Sequence, residues 1–158
     1  MNLRDGDKLV SMDVLTSELV EKLSKLDPIE DENNEEQDIN LSEGPWVLVA
    51  SSFGLGKRVP VTQFRLQKRA GMGLRAIKFR IKDDVLVGLK VLGAGEEILL
   101  VTERGVIVRT NADKVSQQSR AATGVKLQRL DEGDHLAEVV LVPHEQIDEE
   151  IIEEEDSP

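Results

Sequence analysis

Val47-Leu48-Val49-Ala50-Ser51-Ser52-Phe53-Gly54-Leu55-Gly56-Lys57-Arg58 and Ile98-Leu99-Leu100-Val101-Thr102-Glu103-Arg104-Gly105-Val106-Ile107-Val108-Arg109 are one pattern written twice, 51 residues apart. Each begins with an apolar run, passes a glycine that supplies a tight turn, and continues into a second short run that ends in arginine. The alignment continues without a gap: Gln67 falls on Gln118, Arg69 on Arg120, Ala70 on Ala121 and Gly73 on Gly124. An internal repeat of this length fixes the architecture before any single motif does.

In the second unit the strands read as 97–102, 106–110, 125–130 and 136–142, with Glu103-Arg104-Gly105 and Asp131-Glu132-Gly133-Asp134 turning two hairpins. The first unit runs in the same way, with Asp83-Asp84 at its final hairpin and Gly93-Ala94-Gly95 linking it to the second. About 50 residues and four strands per unit is the spacing of propeller blades. The fold class is therefore all-β, a partial propeller of four-stranded antiparallel blades. Its units are 46–95 and 96–143.

Leu3-Arg4-Asp5-Gly6-Asp7-Lys8-Leu9-Val10 echoes Leu130-Asp131-Glu132-Gly133-Asp134-His135-Leu136-Ala137, so residues 1–15 read as the closing hairpin of an earlier unit. Residues 16–45 form an insertion. Leu19, Val20, Leu23 and Leu26 recur at helical spacing and predict a short amphipathic helix over 16–26. The acidic, Asn-rich stretch 27–42 is nearly without large apolar residues and reads as a disordered loop, as does the acidic tail 144–158.

The core must rest on Val, Leu and Ile, because the chain has three Phe, one Trp and no Tyr. It has no Cys, which excludes disulfides and thiolate chemistry and suits a reducing compartment. No apolar run reaches the ~18 residues that a membrane-spanning helix requires.

The formal net charge of -11 averages three unlike segments. Residues 1–46 sum to -9, residues 47–129 to +10 and residues 130–158 to -12. A basic middle lies between acidic arms. Lys57, Arg58, Arg65, Lys68, Arg69, Arg75 and Lys78 follow one another with only neutral residues between them, and Arg109, Lys114, Arg120, Lys126 and Arg129 fill comparable places in the second unit. Closely spaced cations on glycine-containing loops suit the phosphate backbone of duplex DNA, which attracts charge and accepts backbone N–H contacts as well. With no reading helix in the pattern, contacts to phosphates and weak sequence preference are expected. The acidic arms either compete with DNA for that field or simply solubilise the chain, and the reading from another class is an acidic protein-interaction or regulatory module that excludes DNA.

Over residues 46–143 the repeats resemble the last two blades of the C-terminal domain of bacterial-type DNA gyrase A, with the related topoisomerase IV domain as the near relative. The resemblance implies a β-pinwheel whose neighbouring blades exchange strands and whose basic rim binds and bends duplex DNA in support of supercoiling. It also implies partners, namely the remaining gyrase A segments and the gyrase B ATPase. That family's box reads Gln, Arg or Lys, Arg, Gly, Gly, Arg or Lys, Gly. Gln67-Lys68-Arg69-Ala70-Gly71-Met72-Gly73 matches five of those seven positions, and Gln118-Ser119-Arg120-Ala121-Ala122-Thr123-Gly124 keeps Gln118, Arg120 and Gly124. The DNA-binding set expected from cluster and resemblance is Lys57, Arg58, Arg65, Gln67, Lys68, Arg69, Gly71, Gly73, Arg75, Lys78, Arg109, Arg120 and Lys126.

No catalytic residue is expected. A type II topoisomerase cleaves DNA through a phosphotyrosyl bond, and this chain has no Tyr. ATP and magnesium are implied only for the complete enzyme, so this chain is expected to hold no cofactor. Gly54-Leu55-Gly56-Lys57 lacks the spacing of a phosphate loop. His135 and His144 lack metal-ligand spacing. Trp46 reads as a packing residue, since a single aromatic does not make a base-stacking platform.

Overall fold

The computed structural model describes residues 3–24 and 44–143. The stretches expected to be disordered, 27–42 and the tail 144–158, lie outside the described residues. Among the residues described there are seven strands: β1 (Trp46–Ser51), β2 (Leu55–Pro60), β3 (Leu86–Leu92), β4 (Glu97–Thr102), β5 (Ile107–Asn111), β6 (Val125–Lys126) and β7 (Leu136–Leu141). They make two antiparallel sheets, in the orders β3-β1-β2-β6 and β5-β4-β7.

The Trp46–Ser51 strand is buried along its whole length, because both of its faces are covered. On one side Trp46, Leu48, Ala50 and Leu92 meet Ile98, Leu100, Ala112, Val115, Leu136 and Val139, which places the main core between the two sheets. On the other side Val47, Val49, Val59, Val61 and Ile77 are joined by Leu15, Leu19 and Phe64. The expected helix is α1 (Ser17–Ser24). The Thr16 hydroxyl accepts the Leu19 N–H at 3.3 Å, and Leu19 lies against the second cluster.

The repeat is structural as well as sequential. The Gly54 N–H donates to Ser51 O and the Gly105 N–H to Thr102 O, with φ of 76° and 84°. One turn of 3-10 helix follows at Val61–Gln63 and again at Ala112–Lys114. The Asp turns repeat too: the N–H groups of Asp7, Asp84 and Asp134 donate to Arg4 O, Ile81 O and Asp131 O. Asp84 and Asp134 then reach across to the β1–β2 and β4–β5 hairpins of their units, accepting the Phe53 and Arg104 N–H groups.

Four expectations need correction. The third strand of the second unit is only two residues long, and it pairs with β2 of the first unit, Leu55 with Lys126 and Gly56 with Val125. The turn at 131–134 consequently joins strands of different sheets and is no hairpin. Residues 74–75, the equivalents of β6, form no ladder among the described residues.

Residues 3–15 keep their turn but form no strand. They lie beside β3 through the Ser11 hydroxyl on Leu89 O and Asp13 on the Val91 N–H. A closing strand such as β7 is held by β4 of its own unit, and among the described residues no such ladder reaches residues 9–14.

The crossing of β6 requires close approach. A Cβ on Gly124, whose φ is 96°, would stand 2.6 Å from Gly56 O, and one on Gly56 would stand 2.4 Å from the Leu127 side chain. Gly124→Ala is therefore expected to destabilise the chain by at least ~2 kcal/mol, as measured by urea denaturation, since it combines left-handed strain with a backbone clash. A loss within ~0.5 kcal/mol, the range of an ordinary surface substitution, would contradict the crossing.

Candidate nucleic-acid interface

The two box segments are loops built to one plan. In each, the leading glutamine reaches forward six residues and its side-chain oxygen accepts a glycine N–H: Gln67 from Gly73 at 3.1 Å and Gln118 from Gly124 at 3.0 Å. Inside each loop a tighter turn closes at 3.2 Å, the Gly71 N–H on Lys68 O and the Ala122 N–H on Ser119 O. Gln is thus a structural closer of the loop. Gly71 makes room for it, because a Cβ there would stand 2.4 Å from the Gln67 side-chain oxygen.

The loops are also joined to each other. The Lys78 N–H donates to Ala122 O at 3.2 Å, Arg120 Nη1 donates to Arg75 O at 3.0 Å, and the Arg120 N–H donates to the Gln63 side chain at 3.0 Å. Sequence reasoning misses Gln63, since nothing in its neighbourhood signals the contact. Arg65, Lys68, Arg69, Arg75, Lys78 and Lys126 are exposed, and Arg120 is partly so. Arg80 and Lys82, further exposed cations on the same segment, lie outside the expected set.

Lys57 and Arg58 depart from the expectation, because both are buried. Lys57 Nζ donates to three carbonyls of the second loop, Ser119 and Arg120 at 2.6 Å and Ala122 at 2.7 Å. Burial, with the Arg120 guanidinium as a second cause, lowers its pKa from 10.5 to about 8. Arg58 lies 4.5 Å over the Trp46 ring and is held by Val115 O and by the carbonyl and carboxylate of Asp113. Trp46 in turn donates its indole N–H to Gln117. Segment 113–122 therefore encloses two cations that spacing alone places on the rim.

Arg109 shows what the enclosure changes. It is the repeat equivalent of Arg58, yet its side chain is 61% exposed and bound to Glu97 across the β4–β5 pair. Among the described residues no crossing segment covers it.

The remaining signals are structural. Gly54 sits in the β1–β2 turn, and His135 packs edge-on against Phe53 with its ring 3.4 Å from Glu103. Among the described residues no cluster of three or more His, Asp or Glu is placed to hold a metal ion. Within the same residues no helix is long and apolar enough to cross a membrane.

A family model described as the DNA gyrase C-terminal domain, a beta-propeller, matches residues 1–16, 45–92 and 96–143. The chain belongs to the DNA gyrase A C-terminal domain family. The DNA gyrase A protein of Synechocystis sp. is 49% identical over 150 residues, which cover 90% of this chain and 17% of that protein. The chloroplastic/mitochondrial DNA gyrase A protein of Nicotiana benthamiana is 33% identical over 150 residues, covering 90% of this chain and 15% of that protein. The chain therefore spans about a sixth of the length of these curated relatives.

Among solved structures, a DNA gyrase A C-terminal domain superposes with a TM-score of 0.58 at 33% identity, over 64% of this chain and 34% of that one. The C-terminal domain of DNA topoisomerase IV does so with 0.57 at 24% identity, over 65% and 31%, and shares the fold. The all-β pinwheel class is thereby established, with the strand exchange visible at β6.

Membership in the gyrase A family also gives a reason for Ala70. It stands where the family's box has glycine, and it adopts φ 65°, a conformation that costs a Cβ-bearing residue ~1–2 kcal/mol. Part of that cost offsets the greater freedom of glycine in the unfolded chain. Ala70→Gly should raise the stability by ~0.5–1 kcal/mol in urea denaturation. A destabilised variant would show that the left-handed conformation is not what this position requires.

Proposed function

We propose that this chain binds duplex DNA along the continuous rim made by its two box loops, and that it does so as a non-catalytic part of a gyrase-type topoisomerase. The observation that carries the reading is the junction between the loops. Arg120 on Arg75 and Lys78 on Ala122 bring segment 65–78 against segment 118–126, which supports reading their cations as one face. Exposed Arg65, Lys68, Arg69, Arg75, Lys78 and Lys126, with the partly exposed Arg120, are the phosphate-contacting set. Gln67, Gly71 and Gly73 shape the first loop, while Lys57 and Arg58 act from beneath the surface.

In this reading the bound DNA bends over neighbouring blades, and the bend supports supercoiling by the complete enzyme. Strand breakage, ATP hydrolysis and magnesium belong to the remaining gyrase A segments and to gyrase B. The bacterial and chloroplastic/mitochondrial relatives support a setting in a bacterial cytoplasm or an organelle of bacterial ancestry.

Fluorescence anisotropy with a linear duplex over a salt series tests this directly. Lys68→Ala with Arg69→Ala should weaken binding of all sequences alike and reduce the log–log salt slope by ~1.8, about 0.9 for each lost phosphate contact. An unchanged slope would remove the first loop from the interface. A chain that shows no salt-dependent affinity at all would favour an acidic interaction module instead.

A further inference from the structure

The two box turns close with the same hydrogen bond, yet their backbones differ. In the turn 68–71 the third residue, Ala70, has φ 65°, whereas neither Arg120 nor Ala121 in the turn 119–122 has positive φ. A turn with positive φ only at its third residue is of type II, and one with negative φ at both central residues is of type I. The two types differ by a half-rotation of the central peptide. The peptide joining Arg69 to Ala70 therefore faces the opposite way from the one joining Arg120 to Ala121.

What sets the second turn apart is the cation beneath it. Lys57 Nζ draws in the Arg120 carbonyl at 2.6 Å, together with those of Ser119 and Ala122. Lys57 is fully buried, and hydrogen bonds to a charged donor are about twice as strong as neutral ones. A trans peptide is planar, with its C=O and N–H pointing in opposite directions. Pulling the Arg120 carbonyl onto the buried ammonium thus turns the Ala121 N–H away from it, and Ala121 is exposed. That N–H meets no acceptor among the described residues. The repeat places Val108 where Lys57 stands, so the ammonium is a device of this junction and not of every unit.

We propose that Lys57 is a positioning residue for the basic loop of the following blade: its ammonium holds the turn 119–122 in the form that presents the Ala121 N–H, beside Arg120, to an oxyanion such as a DNA phosphate. The phosphate's origin rests on the DNA-binding reading above, whereas the orientation of the peptide does not. Backbone N–H groups are regular partners of DNA phosphates, so this adds a contact that side-chain counting misses.

Lys57→Met keeps the aliphatic stem and removes the ammonium. In the full chain, NMR scalar couplings and alanine Cβ shifts should then report positive φ at Ala121, as at Ala70, while the amide signals of β4 and β7 stay in place. Duplex affinity should fall several-fold. In the wild-type chain, inorganic phosphate should shift the Ala121 amide and leave the Ala70 amide unmoved.

A folded Lys57→Met chain in which Ala121 keeps negative φ overturns the proposal. Should the variant not fold, the wild-type titration decides, and an Ala70 amide that moves as far as that of Ala121 is the overturning result. If Ala121 flips in the variant and answers phosphate in the wild type while no duplex binds, Lys57 keeps its role and the DNA reading fails.

Discussion

On the rim side the second repeat unit lends two residues of strand to the sheet of the first: Val125 and Lys126, paired with Gly56 and Leu55. To reach that place from the end of β5, the chain between 112 and 124 must run over β2, and the geometry of the rim follows from its path. The Arg58 N–H donates to Ser116 O, and the Gln118 N–H returns to Arg58 O, so the crossing segment is laced to β2 before β6 begins. Gly56 and Gly124 are the positions where the backbones come too close for a Cβ. The second box loop is therefore shaped on the first unit's sheet and not on its own.

The crossing has an electrostatic cost that is met locally. Lys57 and Arg58 lose water, and a buried charge is tolerable only when its hydrogen-bonding capacity is filled. Three carbonyls fill that of Lys57, while Val115 O, Asp113 and the Trp46 ring accommodate Arg58. Neither cation reaches the surface, yet both lie under one that carries further positive charge. Their charge adds to the potential above the loop, where a phosphate would sit. The same contacts tie fold and binding surface together, so loosening the crossing is expected to disorder the rim before it breaks the core.

Much of this is legible in the residues. The 51-residue offset yields the two units, the turn glycines and the β4–β5 hairpin, because each is a local consequence of apolar runs and positive φ. The offset does not reveal which sheet a two-residue strand will join, since periodicity describes a unit and not its neighbours. Charge spacing puts Lys57 and Arg58 on the rim because it counts cations along the chain, whereas exposure depends on what crosses above them. The one sign in the sequence is Val108 at the equivalent of Lys57, an apolar residue where a rim cation is expected. Ile107, 61% exposed at the equivalent of buried Gly56, shows the same dependence from the other side. β6 covers the one, and among the described residues no strand covers the other.

Lysine acetylation followed by mass spectrometry, with and without linear duplex, tests most directly whether the crossing creates a single cationic rim over a buried ammonium. Lys68, Lys78 and Lys126 should label readily in the free chain and become protected together when duplex is added, while Lys57 should resist labelling in both states. Labelling of Lys57 as fast as Lys68 in the free chain, or duplex that protects none of the three, would contradict it.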